Sequence, residues 1–160
     1  MTAASAPVLI AYDGSDAARR AISETAELFP SRAVLVTTVW EAGLAYSSAA
    51  TPMPDAGLQA IPMDIAGAQK LEEEFEARAR RVAEDGAQLA RSAGLESQAF
   101  AVAGDVDPAD AIVDAARLGR VAAIVIGSRG LTGLRARLEG STSSAVLKRA
   151  SCPVVVIHAD

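Results

Sequence analysis

Gly127, Gly130 and Gly140, followed by Ser141, Thr142 and Ser143, are the residues of this chain best suited to chemistry. They come directly after the apolar run 121–126 and lead into a short helical pattern at 144–148. A strand, a glycine-rich loop and a helix N-terminus together direct backbone N–H groups toward one point, which suits a phosphate. At Gly127 a side chain would crowd a close ligand or force a strained bend after a buried strand. Gly130 and Gly133 permit positive φ or close backbone approach. Past Gly140, orphan N–H donors and hydroxyls at the helix start can meet phosphate oxygens, and the helix dipole favours the negative charge. Arg129, Arg135 and Arg137 gather in the same segment, against the sign of the whole chain.

Two common phosphate motifs are excluded. No G-x4-G-K-[S/T] occurs, and no lysine stands beside the glycines. The turn Asp13-Gly14-Ser15 after the first apolar run lacks the G-x-G-x-x-G of a dinucleotide site. Hydrolysis would require a positioned water, a base and charge neutralisation. Asp13 is the one acidic residue placed near the glycine loop, and a ligand-facing role suits it poorly as a base. Glu139 precedes the cap and points outward, His158 is peripheral, and Cys152 beside Pro153 is packed. No His, Cys and Asp cluster has metal-site spacing. The residues therefore assign no catalytic group and leave any metal ligand undetermined.

The elements that must hold this loop alternate along the chain. Apolar runs at 8–12, 33–40, 97–102, 122–126 and 154–157 read as strands, and the second does not alternate cleanly, so both its faces are covered. Between them lie helical patterns. Ser15 caps the first, with Ala18, Ile22 and Phe29 at helical spacing, and Pro30 stops it. The longest runs from 67 to 93, with a stripe at Leu71, Phe75, Ala79, Val82, Gly86 and Leu89, and Gly94 just past its end. Glu74 with Arg78, and Glu76 with Arg80, are i,i+4 pairs on a solvated face. Asp107 caps the next helix, Pro108 fills its first turn, Ile112, Val113, Ala116 and Leu118 face inward, and Gly119 ends it. Helical crossovers impose parallel pairing, so the expected fold is α/β, an open five-stranded parallel sheet with helices on both faces. Ligands of such sheets bind beyond the strand C-termini where the order reverses. If the first and fourth strands are neighbours, Asp13 and Gly127 both lie there. The segment 41–66 shows no element, and is either a surface insertion or a flap over the site. The last strand, 154–157, is an edge that either pairs with a second copy or is shielded by the C-terminal tail.

The bulk properties bound the function. A length of 160 residues suits one domain spanning 1–160. A net charge of −5 argues against nucleic acid or an anionic membrane as partner. The single cysteine cannot form an intrachain disulfide, and neither a secretory leader nor a run of about 18 apolar residues is present, so the expected compartment is the cytoplasm.

The segment GSRGLTGLRARLEGSTSSAVLKRASCPVVVI resembles the ATP-binding branch of the universal stress protein family, whose G-x2-G-x9-G-[S/T] falls on Gly127, Gly130, Gly140 and Ser141. The opening VLIAYDGSDAARRAI and the segment GDVDPADAIVDAA are similar to the family too. The resemblance implies a Rossmann-like sheet of strand order 3-2-1-4-5, and ATP as the ligand, with Mg²⁺ or Mn²⁺ possible beside the triphosphate. It implies that Ala11 and Val39 flank adenine and that Asp13 meets the ribose or the adenine side. Ile126 and Gly127 lie beneath ribose and phosphates, Arg129 and Gly130 line the phosphate loop, and Gly140, Ser141, Thr142 and Ser143 hold the phosphates. It also implies a homodimer through 154–157 and a protein partner it does not identify. Trp40 stands where the family often has a smaller apolar residue, and either stacks near adenine or packs under the flap. Three functions follow: a nucleotide-binding regulatory module whose surface changes with its ligand, a slow Mg-dependent ATPase, or a nucleotide-free scaffold dimer.

Overall fold

The computed structural model describes residues 5–43, 64–104, 107–129 and 142–159. Among these residues five strands and four helices alternate: β1 (Val8–Ala11), α1 (Asp16–Leu28), β2 (Val34–Glu41), α2 (Ile65–Ser92), β3 (Ser97–Gly104), α3 (Pro108–Leu118), β4 (Ala123–Arg129), α4 (Thr142–Arg149) and β5 (Val154–Ala159). All strand pairs are parallel, in the order β3-β2-β1-β4-β5. The expected sheet and strand order are therefore both present. β5 is an edge, as its sequence position led one to expect, and β3 is the other.

Each central strand feeds two cores by its two-residue alternation. Val8 and Ile10 of β1, Val34 and Val36 of β2 and Val125 of β4 belong to one core, under α1 and α2. Leu9, Ile124 and Ile126 belong to the other, with Leu35 and Val39 packed against it, under α3 and α4. Leu9, Ile10, Ile22 and Ile124 are fully buried, and each such side chain contributes about 1.5–3 kcal/mol.

The helix ends follow local chemistry. Ser15 caps α1 by accepting from the Ala18 N–H, and Asp107 caps α3 by accepting from the Ala109 N–H. Gly94 takes φ +86° past the end of α2, the left-handed value that ends a helix cleanly. After α3 it is Arg120, not Gly119, that turns left-handed, at φ 48°.

Three expectations need correction. The long helix starts at Ile65, capped by the Asp64 carboxylate on the Gly67 N–H, so residues 65 and 66 leave the segment read as structureless. Residues 44–63 of that segment lie outside the described residues. The buried stripe of α2 is Ala68, Ala79, Ala83, Gly86, Ala87 and Ala90, while Leu71 and Leu89 stand at its exposed margin. Small residues are needed there because the helix lies close over the Tyr12 ring: a Cβ on Gly86 would come within 2.6 Å of Tyr12 Cδ1. Leu118 is 82 % exposed rather than inward-facing, because α3 ends at that residue and the chain turns away.

Candidate functional site

β1 and β4 pair with Ala11 opposite Ile126, so Asp13, just past the end of β1, and Gly127, still within β4, lie near one another at the reversal of strand order. A cavity of about 450 Å³ opens there, a size ordinary for a small-molecule site. Ala11, Thr37, Val39 and Ile126 come from the strand ends. The turn after β1 and the first turn of α1 add Tyr12, Asp13, Ser15, Ala17 and Ala18. Pro108 and Ile112 come from the start of α3, Thr142 and Ser143 from the start of α4, and Gly127 and Ser128 from β4.

The turn between β1 and α1 is held by its own hydrogen bonds. Gly14 sits at φ +80°, a conformation that strains any other residue type. The Asp13 carboxylate accepts from the Ser15 N–H at 2.9 Å, and the Ser15 hydroxyl accepts from the Ala18 N–H at 3.3 Å. The Tyr12 N–H donates to the Thr37 carbonyl at 2.9 Å and the Tyr12 carbonyl accepts from the Thr38 hydroxyl at 2.8 Å. The Tyr12 ring is buried, and burial foremost pushes its phenol above the ordinary value.

Gly127 is glycine for a reason other than the expected one. It lies inside β4, which continues to Arg129. A Cβ there would come within 2.6 Å of the Ala17 carbonyl carbon and 2.9 Å of the Ala18 nitrogen. The backbone of α1 thus presses directly on β4, and the missing side chain lets the two main elements of the site meet.

The starts of α3 and the end of α4 are tied together. The Arg149 guanidinium donates to the carboxylates of Asp107, at 2.5 Å, and Asp110, at 2.9 Å. The Ala109 N–H bond first, and Arg149 second, hold the Asp107 carboxyl below its ordinary value. The hydrogen bond to Asp107 in turn raises Arg149. This link joins the two helices whose first residues line the cavity.

Of the residues expected at the site, Ala11, Asp13, Val39, Ile126, Gly127, Thr142 and Ser143 line one cavity. Arg129 ends β4, opposite Ala159. Gly130, Gly140 and Ser141, like Arg135, Arg137 and Glu139, lie outside the described residues. Trp40 pairs in register with Ala103 and is not among the cavity residues. His158 is exposed on β5 opposite Ser128. Cys152 is half-buried beside a smaller cavity formed with the ends of α3 and α4. No group of three His, Cys, Asp or Glu among the described residues could hold a metal ion. No described helix is long and apolar enough to cross a membrane.

Sequence reasoning missed Thr37, Ser128, Pro108 and Ile112. For Thr37 a signal existed: two adjacent threonines interrupt an otherwise apolar strand, and a buried hydroxyl requires a partner. Pro108 and Ile112 gave none, since only the packing of α3 brings them to the strand ends.

The profile of the universal stress protein family matches residues 5–158. The universal stress protein YxiE of Bacillus subtilis (strain 168) is 25% identical over 162 residues, covering 94% of this chain and 97% of that protein. Among solved structures, the hypothetical protein MJ0577 is similar at TM-score 0.70 and 20% identity, covering 99% of both chains. A universal stress protein family protein from Arabidopsis thaliana, solved with AMP bound, is similar at TM-score 0.63 and 21% identity, covering 96% of this chain and 92% of that one. A universal stress protein solved in complex with cAMP gives TM-score 0.63 at 20% identity, covering 99% and 100%. These structural likenesses are likenesses of fold.

Proposed function

The chain belongs to the universal stress protein family, and on that premise we propose that it is a binding module for an adenine nucleotide, ATP foremost, whose occupancy changes a surface read by another protein. The observation that carries this reading is the two-ended cavity at the strand reversal. Toward β2 it offers the apolar side chains of Ala11 and Val39, suited to a flat base. Toward α4 it offers Thr142 and Ser143 at a helix N-terminus, suited to phosphate. The solved relatives with AMP and cAMP add support from within the fold.

In this reading Ala11 and Val39 flank the base and Asp13, oriented by the Ser15 N–H, meets the ribose. Ile126 and Gly127 lie beneath the sugar and phosphates. Arg129, Gly130, Gly140, Ser141, Thr142 and Ser143 surround the phosphates, and Mg²⁺ or Mn²⁺ enters with the triphosphate. The apolar edge strand at 154–157 joins two copies into a homodimer.

Calorimetric titration of the purified chain with ATP, ADP and AMP, each with and without Mg²⁺, tests this. Saturable binding of at least one at micromolar to millimolar concentration is expected. Absence of binding by all three at millimolar concentration would sink the reading.

A further inference from the structure

Thr37 and Thr38 are adjacent on β2 and both buried, at 3 % and 6 % exposure, yet their hydroxyls meet different fates. Thr38 donates to the Tyr12 carbonyl at 2.8 Å. Thr37 faces the opposite side of the sheet, by the alternation that sends Leu35 and Val39 to the α3 and α4 side. That side holds the cavity, and Thr37 lines it. Its hydroxyl is not a buried atom left without a partner; it belongs to a residue of the cavity wall.

We propose that the Thr37 hydroxyl is a specificity contact, hydrogen-bonding a polar atom of the ligand's base. The inference rests on the adenine-nucleotide reading. Sheet order places Thr37 at the base end: β4, which leads toward the phosphate-holding start of α4, is separated from β2 by β1. Two strand spacings, about 10 Å, lie between them, enough for a ribose. Ala11, in register with Thr37, and Val39, two residues on along β2, are apolar members of the cavity wall, so the hydroxyl offers a polar atom of a base lying on them a partner. A hydroxyl both donates and accepts, so it can serve either a ring nitrogen or an exocyclic amine.

The test compares the full chain with Thr37→Val, which keeps the shape and removes the hydroxyl, and with Thr37→Ser, which keeps the hydroxyl. Affinity for ATP should fall about tenfold in Thr37→Val and stay within about threefold in Thr37→Ser. The free Thr37→Val protein should melt close to the parent, because the substitution keeps the size of the side chain. Tripolyphosphate, which has no base, should bind parent and Thr37→Val equally. In titrations with purine riboside triphosphate and with 1-deaza-, 3-deaza- and 7-deaza-ATP, one of the four losses should no longer add to Thr37→Val, identifying the atom contacted. Undiminished ATP affinity in Thr37→Val would overturn the proposal. So would an equal loss for tripolyphosphate, or full additivity with all four analogues. If the parent protein binds no adenine nucleotide, the functional reading itself fails, a result distinct from all of these.

Discussion

The turn after β1 and the C-terminal half of β4 stand side by side, yet they are built on different physics. The first closes on itself: Asp13 accepts from Ser15, Ser15 accepts from Ala18, and Gly14 supplies the left-handed turn. Its polar groups serve the fold first, and the carboxylate of Asp13 reaches the cavity already oriented. The fourth strand is instead shaped by contact with a distant element, since Gly127 lies against the backbone of Ala17 and Ala18. Beyond it, Thr142 and Ser143 bring a helix start to the same cavity. One side of the site is thus held by short-range hydrogen bonds and the other by long-range packing. Mutations should separate stability from binding along that line.

The largest effect should come where the two sides touch. Gly127→Ala forces a methyl group onto main-chain atoms of α1, and overpacking of this kind costs about 2–3 kcal/mol. Denaturant unfolding should show it as a lower midpoint at unchanged slope. Unchanged stability would mean that α1 can move away, and the contact would not define the site.

Next, replacing Thr142 and Ser143 together by alanine should weaken ATP binding about tenfold, near 1.4 kcal/mol. Binding is the quantity to read, by titration, with unfolding as the control. Affinity equal to the parent's would remove α4 from the phosphate end.

Ser15→Ala makes the opposite trade. Loss of the α1 cap should cost about 1 kcal/mol of stability, measured by denaturation, while ATP affinity changes less than in the α4 variant. A greater loss of binding than of stability would place Ser15 on the ligand and erase the contrast drawn above.

The smallest effect concerns pH. The folded state depresses the pKa of Asp107, through the Ala109 N–H and then Arg149. Its contribution is therefore present above the ordinary aspartate value, about pH 4, and is lost as pH falls through the lower folded value. Asp107→Asn should be slightly less stable than the parent at neutral pH, and the two should converge below about pH 4. A constant difference down to acid pH would show that Asp107 acts through packing rather than charge.

Much of the frame was readable from local signals. Strands alternating with helical patterns dictated a parallel sheet, because a helical crossover leaves no other pairing. Ser15, Asp107 and Gly94 announced their helix ends, since a cap depends on residues within a few positions. Leu71, Leu89 and Leu118 misled, because periodicity says which residues share a face but not where a neighbouring element stops covering it. The start of α2 at Ile65 is announced only by the Asp64 cap, because small residues follow it and carry no apolar stripe.

By itself, then, the sequence determined the order of elements and the parallel sheet; the strand order, and with it the reversal point beside Asp13 and Gly127, came through the family resemblance. The first two rest on patterns within short stretches of chain and on the connection rules for helical crossovers. Only the tertiary structure decided why residue 127 is glycine, which of two adjacent threonines lines the cavity, and that the start of α3 walls it. Each of those depends on atoms from elements far apart in the chain coming within a few ångströms, and no local pattern records that distance.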